Sequence, residues 1–146
     1  MKSKMIFFLA IILSVIHSEN AFTQEQKDSS TVNLYFKSFP GKLDETILFN
    51  NRNVTTMKLG SRLQVVLFSE GNLKIRSTNK YEGESEIDLI IKHGERYYIE
   101  MNTKGHGQHF TGVLSQVDEA TGKKQFTNEK WPLMIIKEEI EQPFIK

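Results

Sequence analysis

The sequence predicts an all-β fold, a single antiparallel β-sandwich with little helix. Three observations support this prediction. Short segments in which apolar and polar residues alternate recur about every eight to twelve residues, the pattern of half-buried strands. Gly, Asn, Asp and Ser residues that favour turns separate these segments. Sustained helical spacing is scarce, so strands are expected to form most of the structure.

The strand pattern begins at residue 31 and continues nearly to the end of the sequence. In TVNLYFK (31–37), Val32, Leu34 and Phe36 alternate with other residues and predict a half-buried strand. Hairpins are predicted where two segments flank a turn, at 46–50 with 54–59, at 62–68 with 72–77, and at 86–92 with 96–102. Further strands are predicted at 109–117 and 133–139, and a turn of helix has room only at 119–127 and 137–142.

The first 23 residues have the layout of a secretory signal peptide. Two lysines precede an apolar run at residues 5–16, which is shorter than the roughly 20 residues needed to span a bilayer. Small residues at the expected spacing predict cleavage after Thr23, with Ala21 as the alternative. A retained membrane anchor is the other reading of this segment.

The sequence therefore predicts an exported protein with three parts. These are a cleaved signal peptide (1–23), a flexible polar leader (24–30) and a single β-sandwich domain (31–146). No cysteine is present, so lipoprotein processing and disulfides are both excluded. The expected location is the periplasm or the extracellular space. Beyond the predicted cleavage site, 17 basic residues balance 17 acidic residues, and this neutrality argues against a nucleic-acid partner.

Four turn-and-strand motifs occur in the first two thirds of the chain. A strand ends in the turn NNRNV (50–54), Leu59-Gly60 precedes the next strand, EGNLKI (70–75) opens a further strand, and GERYY (94–98) comes last. With these motifs, residues 31–103 resemble small exported bacterial domains of the PEGA-like and related unknown-function type. The resemblance implies an immunoglobulin- or transthyretin-like sandwich without established catalysis, and it supplies no catalytic residues.

Three of the four histidines, His93, His106 and His109, are candidate metal ligands because imidazole nitrogens bind zinc. On a hairpin built from 86–92 and 96–102, His93 lies at the opposite end from the glycine-rich loop, roughly 20 Å away. We therefore exclude His93 from a shared site.

His106 and His109 remain as a possible ligand pair, with Glu100 or Asp118 as a third ligand. The segment KGHGQHF (104–110) is interpreted first as a turn that connects two strands. A metal or small-ligand site at His106 and His109 is the alternative.

Tyr98 and Trp131 are candidate ligand-binding residues, because exposed aromatic rings on exported sandwiches can stack on sugar rings. Tyr97 and Tyr98 must point to opposite faces of a strand, which favours an outward position for one of them. Core or rim packing of these rings is the competing interpretation.

The combined features predict a non-enzymatic module of the bacterial cell envelope that binds a protein or glycan partner or has a structural accessory role. No catalytic residue and no cofactor are predicted. The chain has neither Cys nor a Gly-x-Ser-x-Gly motif, and nothing marks Ser115 as an activated nucleophile. An exported hydrolase is therefore the weakest of the alternatives, and the oligomeric state stays open.

Overall fold

The computed structural model describes residues 29–37, 43–80, 83–106, 109–127 and 130–138. The predicted signal peptide and most of the predicted leader lie outside these residues. The described residues form nine strands and one helix. In chain order they are β1 (Ser30–Phe36), β2 (Asp44–Phe49), β3 (Arg52–Lys58), β4 (Ser61–Leu67), β5 (Gly71–Thr78), β6 (Glu84–Ile91), β7 (Arg96–His106), β8 (His109–Val117), α1 (Glu119–Phe126) and β9 (Leu133–Glu138).

Two sheets face each other, which confirms the predicted all-β sandwich. One sheet has five strands in the order β8-β7-β1-β4-β9, and the other has four in the order β3-β2-β5-β6. Most neighbouring strands are antiparallel, as predicted. The five-stranded sheet is mixed, however, because β1 runs parallel to β7 and β4 runs parallel to β9.

Only one of the three predicted hairpins forms. β2 and β3 pair through a tight turn in which Asn50 and Asn51 both have positive φ, at 48° and 68°. The other two predicted hairpins are wrong, because β4 and β5, and likewise β6 and β7, lie in different sheets. The turns after β4 and β6 carry the chain from one sheet to the other.

The core lies between the inward faces of the two sheets. Alternate residues of each strand point into it, as the period-2 patterns predicted. β1 contributes Val32, Leu34 and Phe36 from the centre of the five-stranded sheet, and Ile47 and Ile75 face them from the four-stranded sheet. Burying one side chain of this size stabilises the fold by about 1.5–3 kcal/mol.

The outward face of β1 is also covered, so the prediction that this strand is half-buried is wrong. Tyr35 is fully buried by a second apolar cluster with Tyr98 and Phe126, against which Trp131 packs. The helix α1 supplies Phe126 and lies within the predicted helical segment 119–127. Its first turn is capped by Asp118, whose Oδ1 accepts the Thr121 N–H at 2.9 Å.

Side chains of the four-stranded sheet bind the outer edge of β8. The backbone N–H of Gly112 donates to Oε1 of Glu45 at 2.6 Å, and the Gly112 carbonyl accepts from the Ser77 hydroxyl at 2.8 Å. The Leu114 N–H donates to the Ser85 hydroxyl at 3.0 Å. These bonds occupy backbone groups that an edge strand otherwise exposes, and they join the two sheets.

Candidate functional site

A groove of about 510 Å³ crosses the outward face of the five-stranded sheet beside α1. We call it the outer groove. Its floor consists of outward residues of β1, β4 and β7, and its wall includes Phe126 of α1. The volume lies within the roughly 300–1,000 Å³ that is typical of small-ligand sites. The residues of its floor and rim are Thr31, Asn33, Gln64, Val66, Phe68, Glu95, Arg96, Tyr98, Lys123 and Lys137.

Polar side chains form the centre of the floor. Asn33 and Gln64 are cross-strand partners on β1 and β4, and Gln64 Nε2 donates to Asn33 Oδ1 at 3.0 Å. Thr31 lies one outward position before Asn33 on β1. Its Oγ1 is buried and has no hydrogen-bond partner among the described residues. Asn33 is only 2% exposed, so the half-buried Gln64 is the floor amide that a polar ligand can reach.

The wall of the groove is held in place by close packing of α1 on β7. The Phe126 ring meets the Tyr98 ring edge-on, with centroids 6.4 Å apart. A Cβ added to Gly122 would lie 2.2 Å from Tyr98 Cβ, so only glycine permits this approach. The helix α1 therefore packs directly against Tyr98 at Gly122.

Arg62 of β4 anchors both the end of α1 and the segment that precedes β9. Its Nη1 donates to the Phe126 carbonyl at 2.6 Å, and its Nε and Nη2 donate to the Trp131 carbonyl at 3.0 and 2.7 Å. The guanidinium also lies 5.7 Å from the centre of the Phe126 ring. One fixed cation thus binds two carbonyls and one aromatic ring beside the groove.

The rim of the outer groove has an excess of positive charge. Arg96, Lys123 and Lys137 are cationic, whereas Glu95 is the single carboxylate among the described residues of the lining. Glu95 accepts a hydrogen bond from the Tyr97 hydroxyl at 2.8 Å. Burial, together with that bond, raises the pKa of Tyr97 and keeps its hydroxyl a donor. The local field therefore favours an anionic ligand.

The two aromatic residues predicted to bind a ligand lie in different surroundings. Tyr98 does face outward and lines the groove, but α1 covers it and leaves it 5% exposed. Trp131 is half-buried and stacks on Tyr35, with ring centroids 6.4 Å apart. The more accessible ring at the groove is that of Phe68, on the rim.

Glu100, a predicted third metal ligand, is enclosed by three donors. The Tyr35 hydroxyl donates to its Oε2 at 2.9 Å, Lys37 Nζ lies 2.8 Å from the same oxygen, and Asn102 donates to Oε1. Burial disfavours the charged carboxylate, but these bonds outweigh it and lower the pKa of Glu100. The buried Tyr35 has a raised pKa.

The histidine pair is separated from its predicted third ligands. His106 and His109 are directly opposite each other in the register of β7 and β8. Glu100 lies six residues back along β7, roughly 20 Å away, and Asp118 caps α1. Among the residues that the structure describes, no group of three or more His, Cys, Asp or Glu side chains could hold a metal. His93 precedes β7 and so lies at its opposite end, as predicted.

Asn33, Gln64 and Arg62 were not singled out from the sequence. The available signal was weak, since each is a polar residue in an outward position of a largely apolar strand. What makes them a site is the pairing of β1 with β4 and the packing of α1 over them. Both depend on contacts between residues distant in sequence.

Comparison with known proteins gives little further guidance. No protein-family model matches the chain, and no curated protein is similar to it. A solved structure that resembles it is the NMR structure of a protein from Eubacterium rectale, which is 9% identical. The match covers 62% of this chain and 89% of that chain, with a TM-score of 0.42. In the part of the chain that the structure describes, no helix is long and apolar enough to cross a membrane.

Proposed function

We propose that the protein is a non-enzymatic, exported module of the bacterial cell envelope that binds an acidic glycan in the outer groove. The observation that carries this proposal is the cationic rim of the groove, above a floor that presents the amide of Gln64. The resemblance to PEGA-like domains, which implies no established catalysis, points in the same direction. The signal-peptide layout of residues 1–23 supports export.

The chemistry of the groove favours an acidic sugar over a purely apolar ligand. Arg96, Lys123 and Lys137 can pair with carboxylate or sulfate groups, and the amide of the half-buried Gln64 can bind a hydroxyl group. The exposed Phe68 ring can stack on the apolar face of a sugar. An acidic protein could also bind the cationic rim. A sugar, however, has hydroxyl groups that can bond to the polar floor of the groove as well.

Titration calorimetry with trigalacturonic acid and with the matched neutral galactose trimer tests the proposal. The acidic trimer is expected to bind and the neutral trimer to bind more weakly or not at all. Arg96→Gln and Lys123→Gln should each weaken binding about two- to fivefold, since an exposed charge pair contributes up to about 1 kcal/mol. Added salt should weaken binding further.

Lys104→Gln is the matched control, because Lys104 is an exposed cation near the far end of β7 from Arg96. It should leave the affinity unchanged. Equal binding of the two trimers, or equal losses in all three variants, would contradict a cationic glycan site in the groove.

A second candidate function is metal or small-ligand binding at His106 and His109, which is favoured by their direct pairing across β7 and β8. Zinc should then raise the melting temperature, and His106→Ala combined with His109→Ala should abolish the rise. His93→Ala, at the other end of β7, should retain it. If neither zinc nor copper changes the melting temperature of the unmutated protein, the hypothesis of a metal site at His106 and His109 is wrong.

A further inference from the structure

The outer edge of β9 differs from every other sheet edge in the described part of the chain. β9 pairs with β4 on one side, and no strand of the described residues lies on its other side. Leu133, Met134 and Ile135 are exposed on it, and Ile135 is 59% exposed. An apolar strand with an open edge can add a further strand through its unpaired backbone groups.

The other three edges are protected. The edge of β8 is bound by Glu45, Ser77 and Ser85, as described above. β3 exposes Arg52, Asn53 and Lys58. β6 carries exposed acidic residues at every second position, Glu84, Glu86 and Asp88, which pair with cations of β5. Charged side chains of this kind discourage edge-to-edge pairing, and β9 is without them over its first four residues.

We propose that β9 pairs antiparallel with β9 of a second copy of this chain, so that the two five-stranded sheets become one continuous sheet. The sequence of the strand is self-complementary in this arrangement. A two-fold axis at Ile135 places Met134 opposite Ile136 and Leu133 opposite the stem of Lys137. Ile135 then faces Ile135 of the partner copy, and the other apolar residues that β9 exposes are covered by the facing residues of the same strand in that copy.

The charges at the ends of β9 and the backbone groups along its open edge support a second copy of this chain as the partner of the strand. Lys130 precedes the strand, whereas Glu138 ends it, so an antiparallel copy brings opposite charges to the same end of the paired strands. The Pro132 carbonyl accepts the Arg62 N–H at 2.9 Å and so faces β4, which leaves the backbone groups of Leu133, Ile135 and Lys137 at the open edge of β9. Residues that face each other across this axis, such as Met134 and Ile136, are an even number of positions apart. Their side chains therefore point to the same face of the sheet.

The mass in solution of the chain from Gln24 onward tests this pairing. Light scattering is expected to give twice the chain mass, and Ile135→Lys should reduce it to a single chain. Ile90→Lys is the matched control, because Ile90 is an apolar residue, 68% exposed, on the edge strand of the other sheet. A wild-type protein that stays monomeric, or equal dissociation by both variants, would overturn the proposal.

A single introduced cysteine tests the register without disturbing charge. The chain has no cysteine of its own, so any disulfide must join the introduced residues. Ile135→Cys places two thiols opposite each other with Cα atoms about 4.5–5.5 Å apart, within reach of a disulfide. It should form covalent dimers under mild oxidation far faster than Ile90→Cys. Equal rates for the two variants would refute the two-fold pairing at Ile135.

Discussion

The carboxyl group of Glu45 on β2 accepts the backbone N–H of Gly112 on β8 at 2.6 Å, and so joins one sheet to the edge of the other. Glu45 is fully buried. Asn79 donates to the same oxygen, whereas Oε2 has no partner among the described residues. Burial raises the pKa of Glu45, although the bonds from Asn79 and Gly112 partly oppose that rise.

Glu45 should therefore stabilise the fold most at low pH. Its pKa in the folded state is higher than the ordinary value of 4.5, so the fold binds the proton more tightly than the unfolded chain does. The contribution is complete below pH 4.5 and is lost as the pH rises through the raised folded value. Glu45→Gln, which is neutral at all pH values, should be more stable than wild type at pH 7 by on the order of 1 kcal/mol. Urea unfolding at pH 4 and pH 7 measures the difference, which should shrink at pH 4.

Glu100 should show the opposite dependence on pH. Its pKa is lowered in the fold, so its contribution is present above pH 4.5 and is lost as the pH falls through the lowered value. Glu100→Gln should lower the free energy of unfolding at pH 7 by about 1–3 kcal/mol, since it weakens charge-assisted bonds to Lys37 and Tyr35. The same urea series should show this loss fading in acid. A constant loss at every pH would mean that ionisation of Glu100 plays no part.

Gly122→Ala should separate α1 from the sheet. The added Cβ would collide with Tyr98, and overpacking of this kind costs about 1–3 kcal/mol despite the better helix propensity of alanine. Thermal unfolding measures the loss. Lys124→Ala, at an exposed position of the same helix, should change stability by no more than about 0.5 kcal/mol.

Arg62→Lys should loosen the end of α1 and the Trp131 segment. A lysine cannot replace the planar guanidinium that binds the carbonyls of Phe126 and Trp131 together, so stability should fall by about 1.5–3 kcal/mol. Trp131 is the single tryptophan of the sequence, and its fluorescence should shift to longer wavelength as it becomes hydrated. Arg52→Lys, on the exposed edge strand β3, should leave the emission unchanged. An unshifted spectrum for Arg62→Lys would show that Trp131 is held by other contacts.

The positions of the strands were predictable, because each strand carries its own alternation. The predicted strands 109–117 and 133–139 correspond to His109–Val117 and Leu133–Glu138. The pairing of strands was not predictable in the same way. A turn such as Ser69-Glu70-Gly71 has the same local chemistry whether it closes a hairpin or carries the chain to the other sheet.

The outer groove was only partly foreseeable for a related reason. The alternation placed either Tyr97 or Tyr98 on the outward face. The burial of Tyr98 depends on its close contact with Gly122, and a single glycine in the sequence does not indicate which ring it approaches. Asn33 and Gln64 become neighbours only through the register of β1 with β4. Local patterns therefore identified the faces of the strands, whereas long-range pairing created the site.

The central place of β1 has a consequence for the order of folding. β1 is the first of the described strands, yet Val32 pairs with Val65 of β4 and Tyr97 of β7, both far along the sequence. Neither described partner of β1 follows it directly in the chain, so long loops must close before β1 is buried. Both edges of β1 can therefore be paired only after β7 has left the ribosome.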